Sequence, residues 1–434
     1  MYKRSFSTAF LVSVALFGLA GPASPPALAD GNEIAPGIFR LNGIEETLPT
    51  GDLKPLKKLV RRVEVVGLGE DVHTTRGFSR AKFRLFKYLV RKRGFRVFGF
   101  ESPWVEAERV ATYVESCEGF AVNAIGGLFG VWQNESVRDL VEWMCEYNQD
   151  HPEDPVYFYG FDHQQAWDDA PRLKSYLIQF GVGESNKKVK RLDSCEGATS
   201  GSVSRYFATR RTPIPPEQHE RCLDALNRTW KFLERRSRKL VKKKLAMAED
   251  IEWARIHVVG LRAWQLQSFY GDTDLNRSYE ERDRGMAYIA QKIRELRFPE
   301  AKTALWAHNG HISMGGDYIP GVDTMGTFLK RDLGDAYEPI GLVSYQANID
   351  WPGVGCGPLD PSLPSSVEGR LREFGEEFLF VDLDFPGADE PLLDPGALFY
   401  LNRGRMVPRA EFRALVYMET AEKMVPLAWD ACTP

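Results

Sequence analysis

Residues 63–101 read VEVVGLGEDVHTTRGFSRAKFRLFKYLVRKRGFRVFGFE, and this stretch decides the fold prediction. Val63–Glu70 is typical of a buried strand with an acidic end, and Arg96–Glu101 is a second such strand. Between them, apolar residues recur at helical spacing from Phe78 onward, and Gly94 is placed to end the helix. A strand, a helix and a strand within about forty residues form a βαβ unit, which predicts a parallel pair of strands.

The same alternation continues along the chain. The remaining predicted strands are Val156–Asp162, Thr303–His308, Pro339–Tyr345 and Phe378–Leu383, and further helices are predicted at Val137–Tyr147 and Arg282–Leu296. Strands that alternate with helices predict an α/β fold with a mostly parallel sheet flanked by helices. The stretch from about 165 to 280 lacks clear strands and is rich in Arg and Lys. We expect it to be a helical insertion that covers the carboxyl edge of the sheet, with its charges on a solvated face.

The beginning of the chain predicts export. A basic start precedes an apolar run at 9–20, and Ala27-Leu28-Ala29 has the small residues of a cleavage site. We therefore expect residues 1–29 to be a signal peptide and residues 30–434 to form the mature domain, secreted or periplasmic. No later stretch reaches transmembrane length, so we expect no stable membrane insertion after cleavage.

Charge and cysteine content narrow the environment and the partners. A net charge of -4 and a pI near 6.1 give no reason to expect a nucleic acid partner. All six cysteines follow the predicted cleavage site, and an even count in an exported chain favours disulfides. Several pairings are possible, of which we favour the one between neighbours: Cys117–Cys145, Cys195–Cys222 and Cys356–Cys432. No C-x-x-C spacing occurs, which disfavours a zinc or redox role for these thiols.

Residues suited to acid–base chemistry follow the predicted strand ends. Glu70 and His73 follow the first strand, Glu101 ends the second, and His308 and His311 follow a later one. In open parallel sheets, ligands bind beyond the carboxyl ends of the strands. Each such residue could instead cap the next helix or act as a hydrogen-bonded spacer. Because several of them converge on one edge, a functional site is the better interpretation.

Missing motifs restrict the chemistry of this site. The chain has no G-x-S-x-G, no H-E-x-x-H and no P-loop, and Gly67-Leu68-Gly69-Glu70 lacks the third glycine of a dinucleotide loop. What remains is acid–base chemistry on water by histidine and glutamate, or a metal site made of the same residues. We expect no cofactor and favour no metal, because the spacings match no standard zinc pattern.

Several segments, in a fixed order, carry a resemblance to a known family. They are residues 69–78, 94–104, 140–148, 159–162, Arg282-Asp283 with Met286, 306–311 and Met325-Gly326. This succession resembles the erythromycin esterase family and runs from about residue 60 to 385. The resemblance implies hydrolysis of an ester, which in the named members is the lactone ring of a macrolide.

The resemblance also implies roles for residues. His73 matches the family's histidine base, and Glu70 and Glu101 match the glutamates that support it. Arg76 matches a family arginine, and His308 and His311 match a second histidine pair. Two positions beside the base depart from the family pattern: Thr74 stands where a glycine is usual, and Gly77 where an acidic residue is common.

We therefore predict a carboxylic ester hydrolase that acts on a small-molecule ester or lactone, with a macrolide ring as one candidate. His73 is the expected general base, oriented by Glu70 or Glu101. The residues expected to polarise the carbonyl and hold the oxyanion are Arg76, His308 and His311. Two alternatives stay open: a metal-dependent hydrolase with the same residues as ligands, and a catalytically inactive binding protein on the same fold. The sequence does not predict an oligomeric state.

Overall fold

The computed structural model describes residues 32–166, 168–195, 214–316, 318–385 and 407–431, together with two short strands at 398–399 and 404–405. The predicted signal peptide and Cys432 lie outside the described residues. Within the described part of the chain, no helix is both long and apolar enough to cross a membrane.

Most strands of the described residues belong to one ten-stranded sheet, and two short ones form a separate hairpin. In chain order the strands are β1 (Glu33–Ala35), β2 (Ile38–Arg40), β3 (Val65–Leu68), β4 (Phe95–Pro103), β5 (Tyr157–Asp162), β6 (Lys302–Trp306), β7 (Tyr337–Trp351), β8 (Gly355–Pro358), β9 (Phe378–Asp382), β10 (Leu398–Phe399), β11 (Gly404–Arg405) and β12 (Ala414–Ala421). Along the sheet they are ordered β1-β2-β9-β12-β7-β3-β6-β4-β5, and β8 pairs with β7 outside this path.

The centre of the sheet is parallel and its margins are antiparallel. The strands from β12 to β5 run parallel to their neighbours. The antiparallel pairs are β12 with β9, β9 with β2, β2 with β1, and β7 with β8. The sheet is thus mixed but mostly parallel, which confirms the predicted fold class.

All of the strands predicted from the sequence are present, as β3, β4, β5, β6, β7 and β9. The prediction that β3 and β4 pair with each other was wrong, because β6 lies between them and pairs with both. Two strand spacings amount to roughly 10 Å, about the diameter of one helix, so a single crossover helix spans a skipped strand easily.

Helices cover both faces of the sheet. In chain order they are α1 (Lys54–Leu59), α2 (Arg76–Arg93), α3 (Glu108–Ser116), α4 (Ala121–Ile125), α5 (Glu135–Asp150), α6 (Asp169–Gln179), α7 (Lys187–Arg191), α8 (Pro216–Lys242), α9 (Ala248–Tyr270), α10 (Leu275–Arg297), α11 (Asn309–Ile312), α12 (Met325–Leu333), α13 (Val367–Arg372) and α14 (Pro408–Glu411). Alternate residues of β3 belong to the two opposite cores: Val66 and Leu68 pack on the side of α2, and Val65 packs on the side of α10.

Helix α2 illustrates how local sequence sets the structure around the first turn. The Thr75 hydroxyl caps its start, and Gly94 ends it with a left-handed φ of 76° and an N–H bond to the Leu89 carbonyl. The Phe86 ring is fully buried and stacks on Phe98 of β4, with ring centroids 4.1 Å apart. Burying one such ring stabilises the fold by roughly 1.5–3 kcal/mol relative to exposing it.

Between β5 and β6, the described residues form helices only, from α6 to α10. The basic run from Trp230 lies mainly on α8, where Leu233 and Leu240 are buried and the intervening Arg235 and Lys239 are exposed. Helix α10 begins within the predicted insertion but continues to Arg297. The boundaries of the insertion therefore stay a prediction.

Two of the three predicted disulfides are present. Cys117 is bonded to Cys145, and Cys195 to Cys222, and the described residues contain no free cysteine. The third predicted pair includes Cys432, which lies outside the described residues.

Candidate active site

A cavity of about 1260 Å³ opens at the carboxyl ends of the central strands. Its wall includes His73 after β3, Glu101 on β4, His308 after β6, Arg282 on α10 and Trp351 on β7. Because ligands of open parallel sheets bind at this edge, the cavity is the candidate active site. Of the sequence-predicted residues, His311 also lines it, Glu70 lies directly behind His73, and Arg76 is elsewhere.

The turn after β3 places His73 on the cavity wall with a carboxylate behind it. Its Nδ1 lies 2.5 Å from Oε1 of Glu70, and no other hydrogen bond joins the His73 ring to the described residues. A carboxylate beside Nδ1 keeps the ring proton there and leaves Nε2 as the acceptor. The edges of Trp132 and Trp351 contact this ring, with centroids 4.9 and 5.7 Å away.

The other oxygen of Glu70 binds Lys82, a residue that the sequence reasoning missed. Lys82 Nζ lies 2.7 Å from Glu70 Oε2 and 3.9 Å from the centroid of the Trp306 ring. Burial lowers the pKa of Lys82 to about 8, although the charge of Glu70 opposes this shift. Lys82 stands four residues from both Phe78 and Phe86, on the apolar face of α2. A charged residue on the buried face of a helix needs a partner of opposite charge. The position of Lys82 in the sequence could therefore have indicated a buried ion pair.

Thr74, next to His73, has a left-handed backbone with φ 66°. A left-handed conformation favours glycine, which fits the glycine that is usual here in the family pattern. In this chain, the Thr74 hydroxyl accepts a hydrogen bond from Asp350 N at 3.3 Å, and its carbonyl accepts one from Met424 N at 3.1 Å. The turn that carries His73 is thereby held by two other segments of the chain.

Arg282 joins three acidic or basic groups on the opposite side of the cavity. Its Nη2 donates to Glu101 Oε1 at 2.7 Å and to Asp162 Oδ2 at 2.5 Å, and its Nη1 donates to His311 Nε2 at 2.7 Å. Burial alone would raise the pKa of Glu101, but His311, Arg282 and His73 hold it far below its usual range. Glu101 is therefore a carboxylate whose charge is compensated by Arg282.

His311 is fixed from both ring nitrogens. Its Nδ1 lies 2.8 Å from Asp283 Oδ1, which also accepts a hydrogen bond from Met325 N at 2.7 Å. Burial and the charge of Arg282 lower the pKa of His311, but the carboxylates of Asp283 and Glu101 together outweigh them and the pKa is raised. While Arg282 donates to Nε2, that nitrogen carries no proton; a protonated Nε2 would instead have Glu101 Oε1 as its acceptor, 3.4 Å away.

His308 is a neutral residue whose ring nitrogens are both occupied by backbone. Its Nδ1 accepts from Gly310 N at 3.0 Å, so Nε2 carries the proton and donates to the Asp71 carbonyl at 2.9 Å. Burial, together with the neighbouring His73 and His311, lowers the pKa of His308 to about 3. Its backbone N–H also donates to Glu101 Oε2 at 2.8 Å. In this arrangement His308 positions Glu101 and the turn after β3.

Arg76, a predicted site residue, lies outside the cavity, and so does the buried His163. Arg76 is at the start of α2 and is paired with Glu45 at 2.9 Å and Glu422 at 3.1 Å. Its predicted role in polarising a carbonyl therefore has no geometric basis in this structure, whereas Arg282 and Arg109 both line the cavity. His163 is fully buried and lies 3.2 Å from the Arg282 carbonyl, behind the site.

Sequence reasoning did not select Arg282 and Asp283, although both belong to a segment that carried the family resemblance. Both are buried in α10, beside the apolar Met286. Two adjacent opposite charges on the buried part of a helix were the signal for a polar network. Among the described residues, no three His, Cys, Asp or Glu side chains are arranged so as to hold a metal ion.

Aromatic side chains form part of the cavity wall. They include Phe129, Trp132, Trp351 and Trp429. Trp429 lies on a C-terminal segment that two hydrogen bonds hold in place. Trp429 Nε1 donates to Asp350 Oδ1 at 3.0 Å, and Leu427 N donates to the Gln133 carbonyl at 2.7 Å. Apolar walls around a few polar groups are typical of a site for a small organic molecule.

Comparison with known proteins identifies the family of this chain. The family model described as erythromycin esterase matches residues 90–419, about three quarters of the chain. The chain belongs to the erythromycin esterase family. The match includes Glu101, Arg282, His308 and His311, and it begins after Glu70 and His73. Proteins of this family resemble hydrolases. Membership of the family is consistent with a small-molecule substrate.

Two relatives have low sequence identity to this chain but align with most of its length. A putative hydrolase, YbfO, of Bacillus subtilis (strain 168) is 24% identical over 357 residues, which cover 76% of this chain and 76% of the relative. An Escherichia coli protein named erythromycin esterase type II is 23% identical over 332 residues, which cover 71% of this chain and 75% of the relative.

Solved structures share the fold of this family member. A Bacillus cereus protein superposes with a TM-score of 0.72 at 20% identity, covering 90% of this chain and 96% of that one. A mutant of the erythromycin esterase EreC, in its open conformation, superposes with a TM-score of 0.69 at 18% identity, covering 88% and 97%. At these identities the likeness establishes the fold alone.

Proposed function

We propose that this protein is an exported esterase that cleaves an ester or lactone by attack of a water molecule, with His73 as the general base. The observation that carries the proposal is the 2.5 Å contact between His73 Nδ1 and Glu70 Oε1 on the cavity wall. This contact leaves Nε2 to accept a proton from water, which is the arrangement that general base catalysis needs.

The reaction would proceed through a tetrahedral intermediate. Nε2 of His73 takes one proton of the water while the water oxygen bonds to the carbonyl carbon of the ester. The pair Glu70–Lys82 orients the His73 ring and stabilises the positive charge that it gains. Because the imidazolium forms only as the bond to water forms, this stabilisation lowers the barrier rather than strengthening substrate binding.

Negative charge that develops on the carbonyl oxygen needs a positive field. We assign this role to Arg282, because its guanidinium lies on the cavity wall and is held there by Glu101 and Asp162, whose carboxylates offset part of its charge. Preorganised charge of this kind is often the largest contribution to acyl transfer. His311 lies beside Arg282 and belongs to the same electrostatic group, whereas His308 acts through the positions of Glu101 and Asp71.

The substrate would be a bulky, largely apolar ester or lactone. The cavity volume of about 1260 Å³ exceeds the roughly 300–1,000 Å³ typical of pockets for drug-sized ligands, and aromatic side chains form part of its wall. A macrolide is the first lactone to test, since one relative is named an erythromycin esterase. The predicted signal peptide and the two disulfides support action outside the cytoplasm.

Turnover of a panel of aryl esters, alkyl esters and macrolides by the purified mature chain tests this proposal. Mass spectrometry should find addition of one water to at least one substrate, and His73→Ala should lower the rate of this reaction by roughly 10²–10⁴-fold. A folded protein that hydrolyses none of them would instead favour the inactive binding protein. Activity that a chelator removes and one metal ion restores would favour the metal-dependent hydrolase.

A further inference from the structure

Asp71 is one of the acidic residues that line the cavity, and its surroundings differ from those of the neighbouring Glu70. Its Oδ1 lies 3.2 Å from the hydroxyl of Tyr318, and its Oδ2 is buried without a hydrogen-bond partner. In the described part of the chain, no Lys, Arg or His side chain forms a salt bridge with Asp71, whereas Lys82 compensates Glu70. A buried carboxyl without a cation keeps its proton, because desolvation penalises the charged form.

The groups that face Asp71 agree with a neutral acid. On its own turn they are Glu70 and His73, and from the other elements they are His308, whose ring donates to the Asp71 carbonyl, and the Tyr318 hydroxyl. Burial raises the pKa of Asp71 to about 7, although hydrogen bonds from Tyr318 and Asn309 oppose the shift. Burial and the charge of Asp71 raise the pKa of Tyr318, and Glu368 adds to this increase. Tyr318 therefore keeps its proton at neutral pH.

We infer that Asp71 and Tyr318 form the proton donor of the reaction, with Tyr318 touching the leaving-group oxygen and Asp71 supplying the proton through it, an assignment that rests on the esterase activity proposed above. Asp71 and Tyr318 both line the cavity that His73 lines. Because Asp71 is only 5% exposed and its Oδ2 is enclosed, the route through Tyr318 is the one open to the substrate. The acid (Asp71 with Tyr318) and the base (His73) are then separate groups on the cavity wall. Their different surroundings keep the acid protonated and leave the base free to accept a proton.

The proton transfers balance over one cycle. When the tetrahedral intermediate collapses, the bond between the carbonyl carbon and the leaving oxygen breaks, and its electron pair stays on that oxygen. The Tyr318 hydroxyl, which donates to Asp71 Oδ1 before the reaction, turns its proton to the leaving oxygen, and Tyr318 then takes the proton of the Asp71 carboxyl, which becomes a carboxylate. His73 still holds the proton removed from water. Release of that proton to solvent and uptake of one proton by Asp71 restore the enzyme, and one water is consumed.

Esters that share an acyl group but differ in the leaving group test the assignment. A 4-nitrophenolate leaves without a proton at neutral pH, whereas an ethoxide or benzyloxide needs one. Tyr318→Phe and Asp71→Asn should therefore lower the rate on the alkyl esters by roughly 100- to 10,000-fold, the usual worth of a general acid, and on the 4-nitrophenyl ester by only a few-fold. Tyr288→Phe, which removes a hydroxyl from α10 outside the cavity, is the matched control and should change neither rate.

The pH dependence gives a readout that a structural role would not produce. The wild-type rate on alkyl esters should fall as the pH rises through about 7, where Asp71 loses its proton, and the rate on the 4-nitrophenyl ester should lack this fall. An equal loss on both ester types in Tyr318→Phe, or full retention on the alkyl esters, overturns the assignment. If Asp71→Asn does not fold, Tyr318→Phe decides alone, since it removes one oxygen. A wild-type protein that hydrolyses no ester overturns the proposed esterase activity and this step with it.

Discussion

Replacement of Lys82 by methionine tests the buried support of the proposed base. Lys82 is fully buried and its Nζ lies 2.7 Å from Oε2 of Glu70, which is also buried. Methionine keeps the length of the side chain and a favourable contact with the Trp306 ring, but it leaves the Glu70 carboxylate without its cation. Removing one partner of a buried ion pair costs about 3–5 kcal/mol of unfolding free energy.

Lys82→Met should also lower activity, because Glu70 would then take up a proton and no longer hold the His73 ring in its working tautomer. The loss should be at least about tenfold and no larger than the roughly 10²–10⁴-fold that a general base contributes. Urea denaturation of the purified variants and kcat on the best ester found for the wild type measure the two effects.

A double substitution separates the stability effect from the catalytic effect. Lys82→Met combined with Glu70→Gln removes both charges, so much of the unfolding free energy should return while kcat stays low. Arg84→Met is the matched control on the same helix, because Arg84 is in a buried pair with Asp52 at 2.6 Å, away from the cavity. It should lose comparable stability but keep the wild-type kcat per folded molecule.

The direction in which stability changes with pH is a further test of the Lys82 pair. The unfolded chain holds the Lys82 proton up to about pH 10.5, whereas the folded chain releases it from about pH 8. The wild-type free energy of unfolding should therefore gain a contribution as the pH rises through this window, and Lys82→Met should lack it. A Lys82→Met variant with wild-type stability and wild-type kcat would refute this account of the Glu70 pair.

Three further expectations concern other parts of the molecule. Arg282→Lys cannot reproduce the fork that binds Glu101 and His311, so kcat should fall by roughly 10²-fold or more, and an unchanged kcat would remove Arg282 from the mechanism. Because the folded chain holds the pKa of His308 at about 3 and the unfolded value is 6.5, unfolding free energy should fall as the pH drops from about 6.5 to 3, and His308→Gln should reduce that slope in acid titrations. Replacing Cys117 and Cys145 by serine opens a link of sequence separation 28 and should lower the unfolding free energy by about 3.5 kcal/mol, and an unchanged denaturation midpoint would contradict a stabilising role.

The parallel centre of the sheet could be predicted from the sequence because its strands are short apolar runs between amphipathic helices. The helix end at Gly94 was equally visible, since a left-handed residue after a basic last turn is a common helix signal. The order of the strands could not be predicted: β6 lies between β3 and β4, although about 200 residues separate it from them. Strand β12 was not predicted, although it begins with the apolar run Ala414–Tyr417 and pairs with both β7 and β9.

The site residues could be predicted only where an acid–base side chain lies at the end of a predicted strand. His73, Glu70 and Glu101 stand directly after predicted strands, so the topology alone places them on one edge. Lys82 and Arg282 lie on helices, where a charged residue is usually solvated, and only the register of the apolar face distinguishes the buried ones. Arg76 is the converse case. Its position near the turn after β3 could be read from the sequence, but its ion pairs with Glu45 and Glu422 could not.

The most direct test of the central claim is kcat for His73→Ala beside His151→Ala, on one ester that the wild type hydrolyses. His151 stacks on Tyr147 at a distance of 4.1 Å between ring centroids and does not line the cavity, so it controls for the loss of a histidine. With both variants shown to be folded by circular dichroism, His73→Ala should lower kcat by roughly 10²–10⁴-fold with little change in substrate binding, and His151→Ala should keep the wild-type value. A folded His73→Ala variant with near wild-type kcat would contradict the claim that His73 activates the attacking water.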